Sequence, residues 1–303
     1  MKYTLVTTFT LLFSFILTAQ TRYATDVYEQ NQITRSTLNY AIKDGKKLDL
    51  DIYLNPNDKT ENRPLFVFLY GGGFSGGSKN NEGEIKFAKT VAQKGYVVAV
   101  VDYRLTRKNK SFGCDFSAEG KRDVFKAASM DLLDALVFLK SRKTILKFDE
   151  SKIILAGSSA GAETILETAY NLHQLFPELD NKYKSIHPAA VVSMAGAIID
   201  ARYITKENAI PGVFFHGDAD KLVPFATAAH HYCKKEDPGY FILDGPVTIT
   251  KKLKKLHASY LFYSFKGRGH EISGVQYDLL PQTFDFLYKV LYKNEHIQAN
   301  IMK

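Results

Sequence analysis

Cysteine is scarce in this chain: Cys114 and Cys233 are the only two among 303 residues. A disulfide-dense scaffold is excluded, and a metal site has little to draw on. Adjacent histidines at His230-His231, close to Cys233, are the one hint of ligands. Neighbouring residues on a helix point in different directions, and no second cluster at zinc-ligand spacing exists, so neither a metal nor a cofactor is expected. Internal repeats and low-complexity linkers are missing too, which argues against a solenoid or a string of domains. An apolar-rich stretch opens the chain. Lys2, an apolar stretch over 5–17 broken by Thr and Ser, and then Thr18-Ala19-Gln20 predict a signal peptide over 1–20, too short and polar for a spanning helix. No cysteine near its end offers a lipid anchor. Export to the periplasm or the exterior, without stable membrane insertion, is the expectation.

Acidic residues are outnumbered, 32 Asp and Glu against 40 Lys and Arg, giving a net charge of +8 that falls by one with Lys2. Such a surface can bind nucleic acid or an anionic polysaccharide. No nucleic-acid module accompanies the charge, however. The richest run, Lys251-Lys252-Leu253-Lys254-Lys255-Leu256, spaces its leucines as a helix with one buried edge and a solvated basic face would. No nucleic-acid partner is expected.

With 45% hydrophobic residues the chain can bury a full core, and residues 21–303 are expected to form one domain. Its pattern alternates. Segments 38–42 and 48–54 read as a hairpin around Lys43-Asp44-Gly45-Lys46, 82–94 as a helix, and 96–102 as a valine-rich strand. Residues 119–142 form a long helix with Phe125, Ala128, Leu132, Leu136 and Leu139 on one face. Strands at 189–194, 212–216 and 260–265 follow, separated by helices, and 275–292 closes the chain as an amphipathic helix. Strands alternating with helices predict an α/β fold, a mostly parallel sheet covered on both faces.

Gly157-Ser158-Ser159-Ala160-Gly161 follows the apolar run 153–156 and opens a helix-like segment. A strand turning abruptly into a helix exposes a serine on a strained backbone, and the small residues on either side permit close approach. Ser159 has glycine two places away on both sides; Ser158 does not. A serine hydroxyl needs a base, an orienter for that base and donors for an oxyanion. Upstream, the strand 64–70 runs into Gly71-Gly72-Gly73-Phe74, where bare backbone can present amides. Downstream, the strand 212–216 ends in His216-Gly217-Asp218-Ala219-Asp220, and Gly267-Arg268-Gly269-His270 follows the strand 260–265. Asp220 is preferred over Asp218, which can instead close an Asx-turn. His216 reads as a half-buried structural group, and His173, His187, His257 and His296 have no comparable context.

These stretches together with Val101-Asp102-Tyr103-Arg104-Leu105, Phe148-Asp149 and Val223-Pro224 resemble a secreted esterase of the α/β-hydrolase superfamily, near its hormone-sensitive-lipase and acetyl-xylan/feruloyl-esterase branches, from about residue 48 to the C-terminus. The resemblance implies the α/β-hydrolase fold, with Ser159 as nucleophile, Asp220 as acid and His270 as base. It also implies oxyanion-hole amides from Gly72, Gly73 and Ala160. Tyr70 stands where the hormone-sensitive-lipase branch has histidine, and Ala162 where a second glycine is common; both blur the branch.

The implied reaction is two-step acyl transfer on a small-molecule or polysaccharide-linked ester, with acetyl or hydroxycinnamoyl groups on carbohydrate suggested by resemblance alone. A prolyl-oligopeptidase-like peptidase or a non-catalytic binding protein on this fold are the rival readings. The stretches 21–37 and 195–210 are too short for a helical lid, so an open site is expected, although 237–257 is long enough to overhang it. Cys114 and Cys233 flank loops expected on that same side; a disulfide and two separate thiols both remain open.

Overall fold

A computed structural model describes residues 21–171 and 183–303. The signal peptide expected over 1–20 and His173 lie outside the described residues. The described chain opens with β1 (Thr34–Lys43) and β2 (Lys46–Leu54), an antiparallel hairpin. Its two-residue turn is Asp44-Gly45, with φ of 52° and 72°; only Gly and short polar residues accept such angles readily. Next come β3 (Arg63–Leu69), α1 (Glu82–Ala92), β4 (Val97–Val101), α2 (Ala118–Ser141), α3 (Lys143–Leu146) and β5 (Phe148–Ser158). The chain continues through α4 (Ala160–Leu166), β6 (Ala190–Met194), β7 (Gly212–Gly217), β8 (Thr227–Ala229) and β9 (Ile242–Asp244). It closes with α5 (Pro246–Lys255), β10 (Tyr260–Phe265), α6 (Leu280–Tyr292) and β11 (Gln298–Met302).

Among the described residues nine strands form one sheet in the order β1-β2-β4-β3-β5-β6-β7-β10-β11, antiparallel at the first two pairings and parallel from there on. Strands β3, β4 and β6 are buried along their whole length, as parallel strands roofed on both faces must be. Phe66 meets Phe87 of α1 and Phe284 of α6, so these two helices share one face. The other face is taken by α2 and by α4, which packs against it. This is the α/β-hydrolase fold.

Three elements depart from the sequence reading. Residues 275–292 are not one helix: two short 3-10 turns, His270–Ser273 and Tyr277–Leu279, precede α6, which starts where Pro281 occupies the first turn. Strand β11 extends the sheet beyond the expected last helix, parallel to β10. Between β7 and α5 lies a small antiparallel pair, β8 and β9, which carries His230 and His231 on a three-residue turn rather than on a helix.

Candidate active site

The site lies at the carboxyl ends of β3, β5, β7 and β10, where an α/β sheet leaves a crevice. Ser159 sits between β5 and α4 with φ 48° and ψ −120°, a conformation a non-glycine residue adopts only when its surroundings impose it. They do. A Cβ on Gly157 would fall 2.4 Å from the Gly161 carbonyl, and one on Gly161 would fall 2.2 Å from the Leu69 carbonyl, so strand, turn and helix meet only because both positions are bare. The Ser159 amide donates to Met194 O at 2.8 Å, tying the elbow to β6.

Ser159 Oγ lies 2.8 Å from His270 Nε2, and His270 Nδ1 lies 2.7 Å from Asp220 Oδ2. Asp220 is buried; its Oδ1 accepts from the amides of Leu222 at 2.8 Å and Val223 at 3.1 Å. Burial alone would raise its pKa, but hydrogen bonds from His216 and His270, the His270 charge and the Leu222 amide outweigh it and hold the carboxyl well below the usual carboxylate range. With Asp220 ionised, the Nδ1 proton stays on His270 and Nε2 is left to accept from the serine hydroxyl. His216, fully buried, has Nε2 3.3 Å from Asp220 Oδ2 and 3.0 Å from the Val223 carbonyl, so it braces the acidic turn.

The alternatives weighed in the sequence go elsewhere. Ser158 Oγ donates to Ser273 O at 2.7 Å, and Asp218 Oδ1 accepts from the Gly267 amide at 2.6 Å in an exposed turn. His187, His257 and His296 are exposed.

Gly72 and Gly73 follow β3 with φ of 122° and 59°, and a Cβ on Gly72 would strike the Gly76 carbonyl at 2.4 Å. Among the described residues neither of their amides, nor that of Ala160 at the first position of α4, donates to a protein acceptor. Their loop is fastened from behind. Tyr70 and Tyr103 stack at 5.0 Å, the Tyr103 hydroxyl donates to Tyr70 O, and the Tyr70 hydroxyl donates to Asp102. Phe74, fully buried, meets Phe112 and Phe125 edge-on. Tyr70, which blurred the branch, thus belongs to a packed aromatic support.

A cavity of about 520 Å³ opens in front of Ser159. Gly72, Gly73 and His270 line it, together with residues the sequence did not single out: Phe112, Glu163 and Leu222. His230 and His231 line it as well. Their rings stand 4.2 Å apart because His231 takes φ 57°, so the helix geometry assumed for them does not apply. Cys114 and Cys233 form a disulfide with Cα atoms 5.3 Å apart, joining the loop that carries Phe112 to the excursion that carries His230. Among the described residues the group closest to metal-ligand spacing is Cys114, Cys233 and Asp237, and both of its sulfurs are in that disulfide. No described helix is long and apolar enough to cross a membrane.

The family profile BD-FAE matches residues 50–201, a stretch that holds the glycine loop and Ser159 and ends before Asp220 and His270. Gut esterase 1 of Caenorhabditis elegans is 31% identical over 148 residues, which cover 48% of this chain and 24% of that protein. The match thus spans about a quarter of the relative's length. Among solved structures, esterase 2 of Thermogutta terrifontis phosphorylated by paraoxon superposes with a TM-score of 0.63 at 20% identity, covering 85% of this chain and 94% of that one. The butyrate-bound form gives 0.63 at 18% identity, covering 87% and 96%. At such identities the likeness speaks for the fold.

Proposed function

The chain belongs to the BD-FAE family, an esterase family of the α/β-hydrolase superfamily, and from that premise we propose that it hydrolyses carboxylic esters through an acyl-enzyme on Ser159. His270 Nε2 takes the hydroxyl proton as Ser159 Oγ attacks the ester carbonyl. Asp220 keeps the imidazole in the right tautomer and stabilises the imidazolium that forms. The amides of Gly72, Gly73 and Ala160 donate to the tetrahedral oxyanion. His270 then protonates the departing alcohol, and water repeats the sequence to release the acid. The observation that carries this reading is the unbroken line from Ser159 through His270 to a buried, ionised Asp220.

The substrate we propose is a short-acyl or aromatic-acyl ester of a soluble carbohydrate. Cavity size suits a small acyl or aryl group. Between β6 and β7 the chain forms one short turn, Ala201–Tyr203, which offers no helical cover for a long chain. Esterase 2 of T. terrifontis, seen with butyrate and with propionate, supports short acyl groups. The disulfide supports an exported, oxidising setting. Purified protein assayed on acetyl, butyryl, feruloyl and long-chain esters beside peptide substrates tests this. Turnover of soluble short or aromatic esters is expected, none of it surviving Ser159→Ala, with no jump at an oil–water interface. Preferred cleavage of peptides would favour the peptidase reading, and no turnover at all the binding-protein reading.

A further inference from the structure

Two buried polar side chains face the cavity and take no part in acyl transfer. Glu163, 2% exposed, lies one turn beyond Ser159 on α4, its amide donating to Ser159 O at 2.9 Å. His230, 1% exposed, reaches the same cavity from the turn between β8 and β9. Their nearest atoms, Glu163 Oε1 and His230 Nε2, stand 3.3 Å apart without the alignment of a hydrogen bond. Glu163 Oε1 and His230 Nδ1 have no hydrogen-bond partner among the described residues. Around the imidazole the neighbours are rings, with Phe112 edge-on at 5.4 Å and Phe125 at 6.1 Å. Lys121, the nearby buried cation, spends its ammonium on Gly239 O at 2.9 Å.

Orphaned buried polar atoms are costly, and a folded protein satisfies nearly all of them. Glu163 and His230, whose side chains carry these two atoms, border the cavity beside a strained serine, so a small rotation of either side chain brings its orphan atom to a group that arrives with the substrate. That group must give a hydrogen to one atom and bond to the other, which a single hydroxyl can do. We propose that Glu163 and His230 form a hydroxyl-recognition subsite: a substrate hydroxyl donates to Glu163 Oε1 and accepts from His230 Nδ1–H, so that esters bearing that hydroxyl are selected over their deoxy counterparts. The inference rests on the ester-hydrolase reading above and adds the group by which the substrate is recognised.

Charge agrees with this. Burial, aided by the Asp220 charge and opposed by His270, pushes the Glu163 carboxyl up to about 8, and burial beside Lys121 holds the His230 imidazole down at about 3. Both shifts favour the uncharged forms, an acid beside an imidazole, which suits a neutral hydroxyl better than an anion or a cation. The backbone holding them is anchored: His230 N donates to Phe241 O at 2.7 Å, His231 N to Leu222 O at 2.8 Å, and the disulfide fixes the excursion at Cys233. A recognition site needs that rigidity.

The test compares kcat/KM for matched pairs: methyl 4-hydroxycinnamate against methyl cinnamate, p-nitrophenyl 3-hydroxybutyrate against the butyrate, and an acetylated sugar against its deoxy form. The wild type is expected to favour the hydroxylated partner by roughly tenfold or more in one arm, and that arm tells whether the hydroxyl belongs to the acyl group or the alcohol. Glu163→Leu and His230→Phe should each bring the ratio towards unity, whereas Glu163→Gln, which keeps an oxygen, should retain part of it. Calorimetric Kd ratios for the same pairs on the Ser159→Ala protein give the answer without altering either residue. Ratios near unity in every arm, or a ratio unchanged in both truncation variants, overturn the subsite while the esterase reading stands. Failure of the wild type to cleave any ester overturns that reading and this inference with it.

Discussion

Replacing both cysteines by serine should cost far more than two small side chains would suggest. The Cys114–Cys233 link closes a loop across a sequence separation of 119. For a loop of that length the entropy removed from the unfolded chain corresponds to about 5 kcal/mol at 25 °C, against ~2–4 kcal/mol commonly measured. The hydrogen bonds beside the link do not depend on the S–S bond itself: Gly239 N donates to Cys114 O at 2.9 Å, Ala118 N to Pro238 O at 2.9 Å, and Lys121 Nζ to Gly239 O at 2.9 Å. The loss should therefore act mainly through the unfolded state. At a few degrees per kcal/mol, Tm should fall by roughly 10 °C. Thermal melts and urea titrations of the wild type, the reduced wild type and the Cys114→Ser/Cys233→Ser variant check this. Turnover of a saturating soluble ester should stay within a few-fold, because Ser159, His270 and Asp220 are held by other elements, while KM should rise as Phe112 and His230 loosen. A Tm shift under ~2 °C would refute the loop-closure argument.

Further expectations follow from single contacts. Asp220→Asn should lower kcat by ~10³–10⁴-fold through the wrong imidazole tautomer, whereas Asp218→Asn, which loses one hydrogen bond in an exposed turn, should cost less than about tenfold; steady-state kinetics separate them. Gly157→Ala should destabilise by about 3 kcal/mol, because its Cβ meets backbone at 2.4 Å. Gly83→Ala, with open space in the first turn of α1, should stabilise by a few tenths of a kcal/mol up to ~1 kcal/mol, both read by urea titration. Glu163 and Glu167, pushed up to about 8 chiefly by burial, keep protons in the folded chain that the unfolded chain has released. Stability should therefore fall as pH rises from the ordinary carboxylate range through 8, and Glu163→Gln should flatten part of that fall. Urea midpoints that climb over this window would contradict it.

The elements whose form is set by nearest neighbours were legible in the sequence. Asp44-Gly45 announces its hairpin, the apolar runs give the parallel strands, and the glycines around Ser159 announce an elbow whose backbone tolerates no Cβ at either. Ser159, Asp220 and His270, picked because each follows a strand, come together for the same reason, with His270 hydrogen-bonded to the other two: the ends of a parallel sheet converge. What escaped depends on pairing across long distances. Strand β11, Gln298–Met302, has little β-branched character and is half exposed, so only its place beside β10 makes it a strand. The wall bearing His230 was hidden because His231 leaves helical geometry and because a disulfide, undecided in the sequence, sets where that wall stands. Glu163 carried one faint signal, its spacing of four from Ser159 on a helix, which brings it near the nucleophile but says nothing of the histidine facing it.

Trapping the acyl group decides whether the proposed acyl-enzyme forms on Ser159. Protein mixed with p-nitrophenyl acetate, quenched in acid within the first turnovers and mapped by peptide mass, should carry one acetyl group on Ser159. No label should appear in Ser159→Ala, and none should sit on Ser158. An acetyl group found elsewhere, or ester turnover that persists undiminished in Ser159→Ala, would contradict the account.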